Sequence, residues 1–205
     1  MRAALFDLFG TLVESPLYIS PYAPFLRRIP ESRGARSRAI EHIQCRASES
    51  IEELAAELSR RFEAPLYAPA EISRVKADLD RHIASYQPLP ASIELLASIQ
   101  GMGIATACVS NLAAPYRLVF SQNGIGQWID HIVFSCEVGL IKPQPEIYAH
   151  ALALLDVPAH RAVMVGDNLI DDVEGARAAG LHAVWVDASR PWRRETLDFL
   201  KRSDA

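Results

Sequence analysis

Asp7 is a lone carboxylate at the end of the apolar run Ala3–Phe6, and Gly10 and Thr11 turn the chain after it. An apolar run of this length, closed by a turn signal, reads as a buried strand. Asp7 then lies at the carboxyl end of a strand, where open α/β sheets bind their ligands. A carboxylate so placed can attack phosphorus or carbon, forming an ester and dividing one hard step into two. Asp close to Gly is also ordinary turn chemistry, so other residues must decide.

Four further polar residues have the same placement or a rigid setting. Ser110 and Asn111 follow the apolar run Ile104–Val109, and Asp167 follows Arg161–Val165 and Gly166. Ser110 and Asn111 offer a hydroxyl and an amide to a developing oxyanion, although Ser-Asn is also common at turns. Lys142 stands among Gly139, Pro143 and Pro145, which make its loop stiff. It would set a positive charge beside Asp7; its bland alternative is a solvated surface lysine. Asp171 and Asp172 follow Asp167 closely. Carboxylates crowded together raise each other's pKa, and a hard cation such as Mg²⁺ resolves the conflict. Asp171 as a helix N-cap and Asp172 as a dipole complement are the structural alternatives.

The elements that must position these groups can be read in order. Ser15–Pro30 holds Pro16, Pro21, Pro24 and Pro30, and reads as an irregular segment. From Ser37 to about Tyr86 the pattern is helical. Ile40, Ile43 and Ala47 mark one face. Ser48 precedes Glu52 as a helix start, and Ile51, Leu54, Ala55, Leu58 and Phe62 form a second face. Ile72, Val75, Leu79, His82, Ile83 and Tyr86 form a third. This is a small helical bundle, closed by Pro88 and Pro90.

The rhythm then changes to alternating helix and strand: helices at Ala91–Gln100, Ala113–Gln122, Pro145–Leu155, Val173–Ala179 and Arg193–Lys201; strands at Ile104–Val109, Ile132–Phe134, Arg161–Val165 and His182–Val186. Such alternation means an α/β fold: a parallel sheet with helices on both faces. Right-handed crossovers place Asp7, Ser110 and Asp167 on one edge of it.

Four motifs carry a resemblance. F-D-L-F-G-T-L-V at Phe6–Val13, V-S-N at Val109–Asn111, I-K-P-Q-P-E-I-Y at Ile141–Tyr148 and G-D-N-L-I-D-D-V-E-G-A-R-A-A-G at Gly166–Gly180 occur in one order. In that order they resemble the haloacid dehalogenase-like (HAD) hydrolase superfamily, over nearly the whole length. The resemblance implies a Rossmann-like catalytic core from residues 1–14 and 88–205, with residues 15–87 as an inserted helical cap. It implies Asp7 as nucleophile, with Ser110 and Lys142 as its catalytic partners. Thr11 and Asn111 are expected at the substrate. Asp7, Asp167, Asp172 and the main-chain carbonyl of Phe9 are expected to hold Mg²⁺, and Asp171 falls where the family often has Asn.

Phe9 departs from the phosphatase pattern. Many phosphatases of the superfamily have there an Asp that protonates the leaving alcohol, work worth about 10²–10⁴ in rate. Haloacid dehalogenases resemble the chain at this point, since they carry an aromatic residue and use no metal. Their substrate-gripping arginine has no clear counterpart, although Arg27, Arg28, Arg33, Arg36 and Arg38 lie in the right region. The acidic fourth motif favours a Mg²⁺-dependent phosphatase acting on a small phosphate ester. The alternatives are a metal-independent 2-haloacid dehalogenase, and a HAD fold kept for binding or regulation with little turnover.

Composition narrows the rest. The 205 residues are 50% apolar and 22% charged, with a net charge of −4. There is no basic excess to bind nucleic acid and no apolar stretch long enough to span a bilayer. Cys45, Cys108 and Cys136 are odd in number and widely spaced, as core residues of a reducing compartment are. With no signal-peptide pattern, a cytoplasmic protein is expected, as a monomer or a homodimer, with a phosphorylated small molecule as its partner. The six histidines show no metal spacing. Trp192-Arg193-Arg194 reads as a solvated helix start, and substrate selection is expected at the rim near Tyr18, Tyr22 and Arg27.

Overall fold

The computed structural model describes residues 2–30, 34–47 and 50–202, so Arg33 and Ser48 lie outside the described residues. The first stretch runs through β1 (Ala3–Phe6), β2 (Val13–Glu14), α1 (Ala23–Leu26), α2 (Ala35–Gln44), α3 (Ile51–Arg61), α4 (Pro69–Ser85) and β3 (Gln87–Pro88). Then come α5 (Pro90–Gly101), β4 (Ala105–Ser110), α6 (Arg117–Gln122), β5 (His131–Phe134), α7 (Ser135–Val138) and α8 (Pro145–Leu155). The chain ends with β6 (Ala162–Gly166), α9 (Gly175–Ala178), β7 (His182–Trp185) and α10 (Trp192–Leu200).

Five strands form one parallel sheet in the order β5-β4-β1-β6-β7. β1 is central, and Phe6 lies opposite both Cys108 and Val165. Successive side chains of β1 point to opposite faces, as strand geometry requires. Ala4 and Phe6 pack with Leu95, Leu96, Ile99 and Phe199 on one face. Ala3 and Leu5 pack with Ile147, Tyr148, Ala151 and Ala176 on the other. Helices cover both faces, which is why β1 is apolar throughout instead of alternating.

Helices α1 to α4 share a third apolar cluster, in which Phe25, Ile29, Ala39, Leu58, Val75 and Leu79 are buried; it meets the sheet unit through Ala113 and Tyr116. Two details differ from the sequence reading. Ala35, Ala39 and Ile43 carry the buried face of α2, whereas Ile40 is 42% exposed, because it faces a cavity instead of the cluster. Ser50 caps α3, its hydroxyl accepting from Glu53 N–H at 3.1 Å.

β2 and β3 form a short antiparallel ribbon, Val13 opposite Pro88 and Glu14 opposite Gln87. It lays the two passages between helical segment and sheet side by side. Among the described residues, no helix is long and apolar enough to cross a membrane.

Leu5 is fully buried in the central strand. Leu5→Ala is expected to cost about 2–5 kcal/mol, read by urea unfolding, from lost transfer energy plus an uncollapsed cavity.

Candidate active site

Asp7 stands one residue past β1, and its N–H donates to the Val165 carbonyl at 3.0 Å. Ser110 ends β4 and Gly166 ends β6, so parallel pairing delivers all three positions to one edge of the sheet. Lys142 completes the centre. Its Nζ donates to Asp7 Oδ1 at 2.7 Å and to Asp172 Oδ1 at 2.7 Å, and all three side chains are buried.

Asn111 holds Lys142 there. Its Nδ2 donates to the Lys142 carbonyl at 2.9 Å, and its Oδ1 accepts from Lys142 N–H at 2.8 Å. Both ends of its amide thus engage the Lys142 main chain, while Asn111 also lines the cavity over Asp7. Behind the loop, the fully buried Tyr148 donates its hydroxyl to the Asp171 carbonyl.

The acidic segment begins with a π-helical turn, Leu169–Glu174, that runs into α9; the sequence reading placed one regular helix from Val173. Asn168 caps it, its Oδ1 accepting from Ile170 and Asp171 N–H at 2.9 and 3.0 Å. The cap is therefore Asn168 and not Asp171, because only Asn168 precedes the free N–H groups. Asn168 N–H also donates to Asp172 Oδ2 at 3.0 Å, which turns that carboxylate inward. Asp171 takes longer bonds from Asn111 and Asn168, at 3.4 and 3.3 Å. π-turns inside helices are frequent at functional sites.

Two glycines make room. A Cβ on Gly166 would stand 2.2 Å from Asp172 Cγ. Gly10, at φ +71°, would bring one to 2.3 Å from Asp167 Oδ2. Any side chain at either position displaces a carboxylate.

One oxygen each from Asp7, Asp167 and Asp172 lies within 4.8 Å of the others. Burial opposes the charge of Lys142, yet Asp7 and Asp172 outweigh burial and raise its pKa. Burial pushes Asp172 up to about 6, with Lys142 opposing and Asp7 adding. Asp167 is raised by burial and then by the charge of Asp7; the nearby Thr11 hydroxyl gives a small opposing effect. One ammonium faces three carboxylates, so the centre keeps residual negative charge. Hard oxygen donors at this spacing suit a divalent cation.

These groups line a cavity of about 690 Å³ with Phe9, Ser110, Asn111, Asp171, Gln44 and Trp185. Ser110 Oγ is buried and has no hydrogen-bond partner. Phe9 forms an aromatic wall with Tyr86 and Tyr116, at ring-centre distances of 5.0 and 5.6 Å. Thr11 is fully buried beneath the cavity and does not line it. Tyr18 is wholly exposed, and neither it nor Arg27, Arg28, Arg36 or Arg38 lines the cavity. His82 is held by Tyr116, Nδ1 to Oη at 2.8 Å.

Sequence reasoning missed Asn168, Gln44, Tyr148 and Trp185. Asn168 carried a signal, an Asx residue directly before a helical pattern. Trp185 Nε1 donates to the Asp167 carbonyl at 2.9 Å, and Gln44 is fixed where its carbonyl accepts from Ser135 Oγ at 2.7 Å. Both are contacts across long separations and leave no local mark.

Residues 1–180 match the family model of haloacid dehalogenase-like hydrolases. The chain belongs to this family. It is 33% identical to a plasmid-encoded phosphoglycolate phosphatase of Cupriavidus necator, over 87% of this chain and 78% of that protein. It is 34% identical to a phosphoserine phosphatase of Thermus thermophilus, over 67% of this chain and only 56% of that protein. The crystal structure of a HAD phosphatase from Thermococcus onnurineus, 25% identical, superposes with a TM-score of 0.62 over 98% of both chains. The expectation of a HAD hydrolase with a Rossmann-like α/β fold is met.

Two outcomes follow from the geometry. A raised carboxyl pKa means the folded state holds that proton more tightly, so ionisation lowers stability as pH rises above the ordinary carboxylate range. Asp167→Asn removes the cost: without metal, calorimetry should show a higher melting temperature at pH 7 and an unchanged one near pH 3. Gly166→Ala should displace Asp172 and destabilise by about 1–3 kcal/mol in denaturant unfolding, as overpacking does.

Proposed function

We propose that this HAD hydrolase is a Mg²⁺-dependent phosphatase acting on a small phosphate ester. The observation that carries the reading is the convergence of Asp7, Asp167 and Asp172 within 4.8 Å of one another, with one ammonium to balance three carboxylates. Asp7, Asp167 and Asp172, with the Phe9 carbonyl, are the groups that would hold Mg²⁺. When bound, the ion draws charge from the phosphoryl oxygens and so favours attack at phosphorus.

The chain's own groups have defined work. Lys142 holds Asp7 Oδ1 and aims the other oxygen at phosphorus. Attack gives an aspartyl phosphate and expels the leaving oxygen, and water then frees phosphate and restores Asp7. Ser110 Oγ, buried without a partner, donates to a phosphoryl oxygen. Asn111 keeps Lys142 in place, and Thr11 supports the turn beside Asp167. Residues 1–14 and 88–205 act as catalytic core and 15–87 as cap, a division supported by the separate helical cluster and the β2–β3 ribbon between them. Cys45, Cys108 and Cys136 are free, which supports a cytoplasmic setting.

Phe9 favours a second reading. A halide leaves carbon without a proton, so a 2-haloacid dehalogenase would need no acid at Phe9.

A paired assay separates the two. Phosphate release from small phosphate esters should require Mg²⁺ and stop in EDTA. Asp7→Asn should lower it by roughly 10³-fold or more, with an unchanged circular dichroism spectrum. Full release in EDTA or by Asp7→Asn refutes the phosphatase; halide release from 2-chloropropionate, indifferent to EDTA, establishes the dehalogenase.

A further inference from the structure

A second cavity of about 380 Å³ opens beside the acidic one, and Phe9, Gln44 and Asn111 line both. Four rings line it, those of Phe9, Tyr22, Tyr86 and Tyr116, with Ile40 and Ile43 among its aliphatic walls. Among the described residues, none that lines it carries a charge. The Tyr22 hydroxyl is buried there with no hydrogen-bond partner. Burial pushes Tyr86 up to about 12, as a dry wall does.

A phosphate ester lying across this joint would set its phosphoryl group over Asp7 and its remaining atoms against these rings. A carboxylate or ammonium would lose its hydration there without a counter-charge. Phe9 adds a second constraint, since it has no proton to give a departing oxygen. We infer that the substrate is a phosphate monoester of an uncharged, phenol-like alcohol, whose ring fills the second cavity and whose oxygen leaves as a stable anion. The inference rests on the phosphatase reading. In the step, Asp7 forms a bond to phosphorus as the ester P–O bond breaks, and its electron pair stays on the phenolic oxygen. Water later takes the phosphoryl group, and its protons pass to solvent and to phosphate. This class differs from the carboxylate-bearing esters that the names of the phosphoglycolate and phosphoserine phosphatase relatives denote.

Two measurements with the Mg²⁺-loaded protein test it. Calorimetric titration should find phenylphosphonate at least about tenfold tighter than phosphonoacetate, a difference of about 1.4 kcal/mol. Ile40→Arg, at a site 42% exposed and therefore tolerant, should reverse that order by placing a cation at the rim. Across substituted phenyl phosphates, kcat/KM should fall steeply as the leaving phenol becomes less acidic. Tighter phosphonoacetate, or turnover of phosphoglycolate matching that of phenyl phosphate, overturns the inference and leaves the phosphatase standing. A shallow leaving-group dependence overturns it too, because it reveals a proton donor. Tight phenylphosphonate without turnover of any ester supports the pocket's chemistry and refutes the phosphatase instead.

Discussion

The ammonium of Lys142, shared between Asp7 and Asp172, is the contact on which the centre depends. Two carboxylates buried this close repel strongly where water is scarce, and removing the cation between them would leave both uncompensated. The surroundings are arranged to keep it. The Asn111 amide pairs with the Lys142 peptide on one side, and Asn168 orients Asp172 from the other. Asp167 adds a third negative charge that Lys142 alone does not balance. The resulting centre keeps net negative charge, a common cost of a working site.

The same centre explains the local backbone. Asp172 lies in the π-turn opened by Asn168, and from there it meets Lys142. Gly166 and Gly10 carry no side chain because carboxylates already occupy that space. Phe9 then divides the molecule's interior chemistry. On one side lie carboxylates, ammonium and hydroxyl; on the other lie rings and aliphatic walls without charge. The two chemistries meet at Phe9, Gln44 and Asn111, which line both cavities.

Much of the fold was legible because its signals are local. The apolar run before Asp7, the alternation of strand and helix after Pro90, and the helical faces of α3 and α4 each lie within a few turns of chain. The β2–β3 ribbon was not legible, since a two-residue strand containing Pro88 has no periodicity to read. Ile40 was misread for a related reason: spacing shows that a residue shares a helical stripe, but not whether a core or a cavity lies opposite. The tie of Asn111 to Lys142 spans 31 residues and leaves no local mark.

By itself, the sequence determined the family, the parallel α/β architecture and the set of polar residues gathered at the strand ends, because strand period and motif order are properties of short stretches. Only tertiary structure decided how those residues are used. Lys142 meets Asp7 across 135 residues and Asp172 across 30, and no local pattern encodes the distance at which they stop. The neutral cavity beside Phe9 is likewise built from rings on four separate segments. Its character follows from which side chains face one space, and that is settled by packing alone.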